Sequence, residues 1–317
     1  MLPAPRKPKR LAPGDTIGLV SPSGPTTPAG ATTPEHIELA RRRLLGAGFR
    51  TVLAPHALDV RGYLAGSDAD RVADLHAMFA DPAVQGILCV RGGYGTHRLL
   101  DALDYEMIRA HPKVFIGYSD ITALHLAFHA RSGFVTFHGP MTTALSRADP
   151  HDFLSCLRAV ARPEPLGALA NPPGAPPIET LVPGETEGEL IGGNAALLTA
   201  LLGTPYEPEF TGRLLFLEDL GDRIYRLDRK LAHLRLAGVF ERVAGIIVGE
   251  CRYPAEPEGL ALRQVLDDLI VPLGKPAIYG LACGHGAYHL TLPVGVRAHL
   301  DATRGVVRIL EAGVASD

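Results

Sequence analysis

Along the first half of the chain, short apolar runs alternate with segments whose apolar residues recur at helical spacing. "DTIGLVSPS" (15–23) reads as a buried strand that enters a Ser/Pro loop. In "PEHIELARRRLLGAGF" (34–49), Ile37, Ala40, Leu44 and Leu45 share one helical face, with Gly46 and Gly48 placed to end the helix. "TVLAP" reads as a second strand, and "SDADRVADLHAMFADP" (67–82) as a helix capped by Ser67 or Asp68 and stopped by Pro82. "VQGILCVRGGYG" is a strand running into a glycine-rich loop, after which "THRLLDAL" restarts a helix. Val114-Phe115-Ile116 then form another buried strand, and Ile121, Leu124 and Phe128 the apolar stripe of the next helix. Such alternation predicts an α/β fold with a parallel sheet flanked by helices.

The pattern breaks at residues 162–189, which hold seven prolines and four glycines and little periodicity. This stretch reads as a Pro/Gly-rich linker. It divides the chain into an N-terminal α/β domain (1–161) and a C-terminal domain (190–317). In the latter, "GRLLFLEDL" and "VAGIIVGEC" are buried strands, "RIYRLDRKLAHLRLAGVF" is a helix with a basic face, and short β segments gather towards the end. No internal repeat is evident.

Composition narrows the function classes. The 317 residues are 46% apolar and 21% charged, enough to bury a sizeable core. A net charge of −3, no Trp and only 6% aromatics argue against nucleic acid as a partner. The basic, proline-rich start, "MLPAPRKPKRLAPGD", lacks the apolar core of a secretory signal and reads as a frayed arm. No apolar run is long enough to span a membrane. Cys89, Cys156, Cys251 and Cys283 are scattered without a C-x-x-C pair, which fits reduced thiols in a cytoplasmic protein.

The candidate chemistry centres on "GYSDIT" (117–122), a tight corner between strand and helix. A serine there, Ser119, has the setting of a nucleophile elbow, with free amides at the helix start to hold an oxyanion. The usual second glycine is replaced by Ile121, and a plain helix cap by Ser119 or Asp120 is the competing reading. Among the 13 histidines, His285 stands out in the glycine-flanked "GHG" loop, with His289 and His138 as competitors. Glu218 and Asp219 end an apolar run in "RLLFLEDLGD", where a carboxylate can orient an imidazole. The glycine loop "VRGGYGTHRLL" is neither a P-loop nor G-x-G-x-x-G, so an amide donor role for Gly92 or Gly93 fits it better than nucleotide binding. Cys283 with His285, and Glu250 with Cys251, are the rival metal ligands, without any H-E-x-x-H or paired C-x-x-C to support them.

In order along the chain stand "VSPSGP" (20–25), "RGGYG" (91–95), "GYSDIT" (117–122), "FHGPM" (137–141), "GGN" (192–194), "FLED" (216–219) and "GH" followed by "TLPVG" (284–295). This ordered set resembles the LD-carboxypeptidase family of serine peptidases, which includes murein tetrapeptide carboxypeptidases and the microcin C self-immunity peptidase. The resemblance implies a flavodoxin-like or class I amidotransferase-like N-terminal domain and a smaller, β-rich C-terminal domain, assembled as a homodimer. It implies a triad of Ser119, His285 and Glu218, no metal or other cofactor, and a small peptide substrate cleaved before a terminal D-alanine. Backbone N–H groups of Asp120 and of Gly92 or Gly93 would then face the oxyanion, and Arg91, Tyr94 and Arg223 are candidates for substrate contact. The alternatives are a peptidase of the same family acting on aminoacyl-nucleotide antibiotics, with Tyr94 or Tyr225 stacking the base, and a non-catalytic binding protein on the same scaffold.

Overall fold

The computed structural model describes residues 4–255 and 259–316. Strands β1 (Thr16–Val20), β2 (Arg50–Leu53), β3 (Gly86–Cys89), β4 (Val114–Gly117) and β5 (Thr136–His138) form a parallel sheet in the order β2-β1-β3-β4-β5. Strands β1, β3 and β4 are almost wholly buried, which is why they read as continuous apolar runs rather than alternating ones. The helix Asp68–Ala80 starts where expected, with Ser67 Oγ accepting a hydrogen bond from the Asp70 amide at 3.1 Å. Phe79, Phe115, Phe128 and Phe134 pack ring on ring beneath the sheet. Each such fully buried ring stabilises the fold by about 2–3 kcal/mol.

The second sheet is built from β6 (Gly167–Leu169), β7 (Glu179–Val182), β8 (Glu185–Asn194), β9 (Leu214–Leu220), β10 (Gly245–Arg252), β11 (Ala277–Gly284), β13 (Arg297–Asp301) and β14 (Val306–Ile309). Its order is β6-β14-β13-β8-β9-β10-β11-β7. The central strands β8 to β11 are parallel, and the outer pairs are antiparallel. Strand β12 (Leu292–Val294) crosses over and joins the first sheet, antiparallel to β5.

Three expectations need correction. The stretch 162–189 is not a plain linker: it supplies β6 and β7, the two edges of the second sheet. Neither strand contains a proline; the prolines stand in the turns around them, so the Pro-rich composition of the stretch masks two short strands of three and four residues. The N-terminal arm, whose first three residues lie outside the described ones, is not frayed from Arg6 onward. The Arg6 amide donates to Gly133 O at 2.8 Å, and Lys9 bridges to Ala315. The segment after the glycine loop forms two short 3₁₀ turns, Thr96–Arg98 and Leu100–Ala102, rather than one helix.

Both parallel sets end at the same cleft. The loops after β1, β3 and β4 leave one sheet there, and the carboxyl ends of β8, β9, β10 and β11 leave the other. Thr122 Oγ1 accepts from the Asn194 amide at 3.0 Å, which fixes the helix after Ser119 against the end of β8.

Candidate active site

Ser119 follows β4 at a sharp corner, with φ of 64°, the only non-glycine positive φ among the described residues. An L-residue in this region carries about 1–2 kcal/mol of strain, held only if the surroundings insist on it. They do so through the next side chain. The buried Asp120 carboxylate accepts from Ser23 Oγ at 2.7 Å and from the Thr96 amide at 2.9 Å, while Thr96 Oγ1 donates to Asp120 O. One carboxylate thus ties the loops after β1 and β3 to the corner after β4. Gly117 has its own reason: a Cβ there would lie 2.9 Å from Ile121 Cγ2. Ile121 therefore closes over the glycine from within the helix, although it replaces the usual second glycine of the motif.

Across the cleft, His285 follows the last residue of β11. Its Nε2 lies 3.1 Å from Ser119 Oγ, across 166 residues of chain. Its Nδ1 lies 2.6 Å from Oε2 of Glu218, a side chain with no exposed surface near the end of β9. Gly284 makes this approach possible, since a Cβ there would stand 2.7 Å from Glu218 Cβ. The serine, imidazole and carboxylate form one hydrogen-bonded line, the arrangement that lets an imidazole take a hydroxyl proton while a carboxylate offsets its charge.

The competing histidines are turned elsewhere. His289 Nδ1 lies 2.8 Å from Gly284 O, and burial takes its pKa down to about 3. His138 is fully buried on β5 between Phe216 and His289, and burial pushes it well below the ordinary range. Tyr118, which sequence reasoning passed over, sits between these rings, 5.0 Å from His285 and 4.3 Å from His289 by ring centres. Burial pushes its hydroxyl up to about 12, so it stays a neutral wall beside the imidazole. Asp152 was also missed: its Oδ1 accepts from the His289 amide at 2.7 Å and braces the loop from the first half of the chain.

The glycine loop lies directly against the serine. A Cβ on Gly92 would fall 3.0 Å from Ser119 Cβ and 3.2 Å from its Oγ. The Gly92 and Gly93 amides donate no hydrogen bond to the described residues, and Asp120 places its own N–H next to Ser119. Arg91 is spent locally, donating to the Gly92 and Pro25 carbonyls at 3.0 Å each. Tyr94 is exposed and meets Tyr63 edge-on, 5.5 Å between centres. Arg223 is exposed on the turn before the helix Tyr225–Leu236. The four cysteines are free thiols. Neither Cys283 with His285 nor Glu250 with Cys251 gathers into a metal-ligand cluster. Among the described residues that grouping occurs at His56, Asp59 and Asp70, where the imidazole already lies 3.1 Å from the Asp59 carboxylate and 3.9 Å from that of Asp70.

The fold and this line of side chains define a serine-type hydrolase. Residues 17–139 match the LD-carboxypeptidase N-terminal domain and residues 187–300 the LD-carboxypeptidase C-terminal domain. The chain is 40% identical over 312 residues to a Bacillus subtilis protein named "Probable murein peptide carboxypeptidase", covering 97% of this chain and 95% of that one. It is 32% identical over 292 residues to the murein tetrapeptide carboxypeptidase of Pseudomonas aeruginosa, covering 87% and 92%. The wild-type apo structure of microcin C7 self-immunity protein MccF superposes with a TM-score of 0.90 at 28% identity, covering 98% and 100%. The chain belongs to the LD-carboxypeptidase family and is a serine-type carboxypeptidase.

Proposed function

We propose that this protein hydrolyses the L,D peptide bond before the terminal D-alanine of murein tetrapeptides, with Ser119 as nucleophile, His285 as general base and acid, and Glu218 as its orienting carboxylate. The single observation that carries the reading is the unbroken line from Ser119 Oγ through both nitrogens of His285 to Glu218 Oε2. His285 Nε2 takes the Ser119 proton as Oγ attacks the carbonyl carbon. The Asp120 N–H and an amide of Gly92 or Gly93 receive the oxyanion. The protonated imidazole then gives its proton to the departing D-alanine amine, and water, activated by the same ring, releases the acyl group. Glu218, buried and held 2.6 Å from Nδ1, keeps that nitrogen protonated and stabilises the transient imidazolium. With this activity go a cytoplasmic location and a homodimer, the latter open to light scattering.

Two observations support a peptide over an aminoacyl-nucleotide. The chain has no Trp, and residues 162–189 contain no aromatic ring to stack a base. The exposed Tyr63–Tyr94 pair beside the glycine loop is what favours the second reading. The test is D-alanine release from L-Ala-γ-D-Glu-meso-diaminopimelate-D-Ala. Release that withstands EDTA and disappears in Ser119→Ala is the expected result. A folded wild-type protein that releases none, yet cleaves an aminoacyl sulfamoyl adenosine, would overturn the substrate assignment in favour of the nucleotide class.

A further inference from the structure

Glu250 lies near the carboxyl end of β10, between the strand that carries Glu218 and the strand that leads to His285. The β10 pairing is irregular at this point. Its register against β11 shifts on both sides of Gly249, and against β9 between Val248 and Cys251. A bulge of this kind re-aims a side chain, and bulges gather beside active sites. The carboxyl group it delivers packs against Gly286, the residue after His285. A Cβ at that position would stand 1.3 Å from Glu250 Oε2, so any larger residue there would turn the carboxyl group out of this place.

Oε2 of this carboxylate is fully shielded yet has no hydrogen-bond partner among the described residues, and Glu250 takes part in no ion pair among them. Arg147, a cation that reaches that loop, is already committed to Asp152 Oδ2 and to Ala287 O. Burial, and then the negative charge of Asp152, raise the Glu250 pKa above the ordinary carboxylate value. An acid kept unpaired against the loop that carries His285 is costly to the free protein and becomes favourable once a cation arrives.

We propose that Glu250 is the receptor for a substrate ammonium group, the free amine carried by the diamino residue on the acyl side of the scissile bond. The proposal rests on the peptidase reading above and deepens it: it makes the enzyme selective for peptides whose penultimate residue bears a second amine. A charge-assisted hydrogen bond of this type corresponds to a preference of about 10-fold or more in kcat/KM.

The experiment compares two tetrapeptides, one with meso-diaminopimelate and one with its free amine acetylated, in wild type and in Glu250→Gln. The wild type should favour the free amine by about 10-fold or more, and Glu250→Gln should bring the ratio of the two kcat/KM values close to one. An unchanged ratio in Glu250→Gln, or a wild type indifferent to acetylation, overturns the proposal. So does an equal loss on both peptides, which would make Glu250 a prop for the His285 loop. Calorimetry on Ser119→Ala with the same two peptides separates the two failures. Amine-dependent binding without D-alanine release by the wild type would sink the reaction and keep the ammonium site; release without amine dependence would do the reverse. If neither peptide is bound or cleaved, both fall.

Discussion

His285 Nδ1 stands 2.6 Å from Glu218 Oε2, and that carboxylate has no exposed surface. The other oxygen, Oε1, has no hydrogen-bond partner among the described residues, so the bond to His285 is the carboxylate's principal anchor. Glu218→Gln keeps the shape and removes the charge. It can present its amide N–H to Nδ1, which then accepts with its lone pair, so the ring carries its proton on Nε2, facing Ser119. With the proton on the wrong nitrogen, kcat should fall by roughly 10³–10⁴-fold with KM little changed. Steady-state kinetics on the tetrapeptide decide this; a fall below tenfold would remove Glu218 from the machinery.

The corner at Ser119 makes a separate prediction about stability. Ser119→Ala and Ser119→Gly both lose the nucleophile, so both should lose activity by roughly 10⁴-fold or more. They differ in backbone cost. Alanine still has to occupy φ of 64°, whereas glycine does so freely. Ser119→Gly should therefore match or exceed the stability of Ser119→Ala by up to about 1 kcal/mol, after the entropy of the extra glycine in the unfolded chain is set against the relieved strain. Urea unfolding of the two inactive proteins gives the answer, and a glycine variant clearly weaker than the alanine one would mean the corner is not strained.

The alternation of the first half was legible because parallel strands buried on both faces leave unbroken apolar runs, as Val114 to Ile116 do. Ser119 was legible as a candidate for the same reason: a strand must end there and a helix must begin. Local reading preferred His285 for its glycine-flanked loop and left His289 as a competitor, because the decision rests on which ring meets the Gly284 carbonyl and which meets a serine on another sheet. Asp120 looked like a cap or an amide donor; its carboxylate turns out to hold Ser23 and Thr96, two loops that sequence distance keeps apart. Arg91 looked like a candidate for substrate contact, and its hydrogen bonds to the Gly92 and Pro25 carbonyls could not be foreseen from composition. β6 and β7 were hidden because both are short and the prolines that flank them dominate the composition of the stretch.

Gly92 tests how closely the loop must approach the serine. Its φ is not in the left-handed region, so alanine is not opposed by the backbone there, only by contact. The new methyl would press on Ser119 Cβ at 3.0 Å and Oγ at 3.2 Å, and on Tyr118 O at 3.4 Å. Moving the hydroxyl by a few tenths of an ångström, or displacing a neighbouring amide, should lower kcat by roughly 10²-fold. Thermal stability should change far less. An unaltered kcat would show that this loop neither confines the nucleophile nor faces the oxyanion.

The buried histidines give the protein a pH dependence of stability that the reaction does not need. Burial takes His125 down to about 4 and His289 down to about 3, and holds His138 well below its ordinary value. In the unfolded chain each titrates near 6.5. Above about pH 7 all three are neutral in both states and contribute no slope. From about pH 6.5 down to about 4 the unfolded chain binds protons that the folded chain refuses, so stability falls as pH falls, by roughly 1 kcal/mol per pH unit for each histidine. Asp74, Asp152 and Glu250 act the other way, because burial raises their pKa and the fold takes up their protons first. His138 lies between Phe216 and His289, and neither ring nitrogen has a hydrogen-bond partner among the described residues, which makes phenylalanine a reasonable replacement in shape. Urea midpoints measured at pH 7 and pH 5 should drop for the wild type and drop less for His138→Phe, by the worth of about one proton. Equal slopes in the two proteins would mean that His138 is charged in the folded state at pH 5 and has found a partner there.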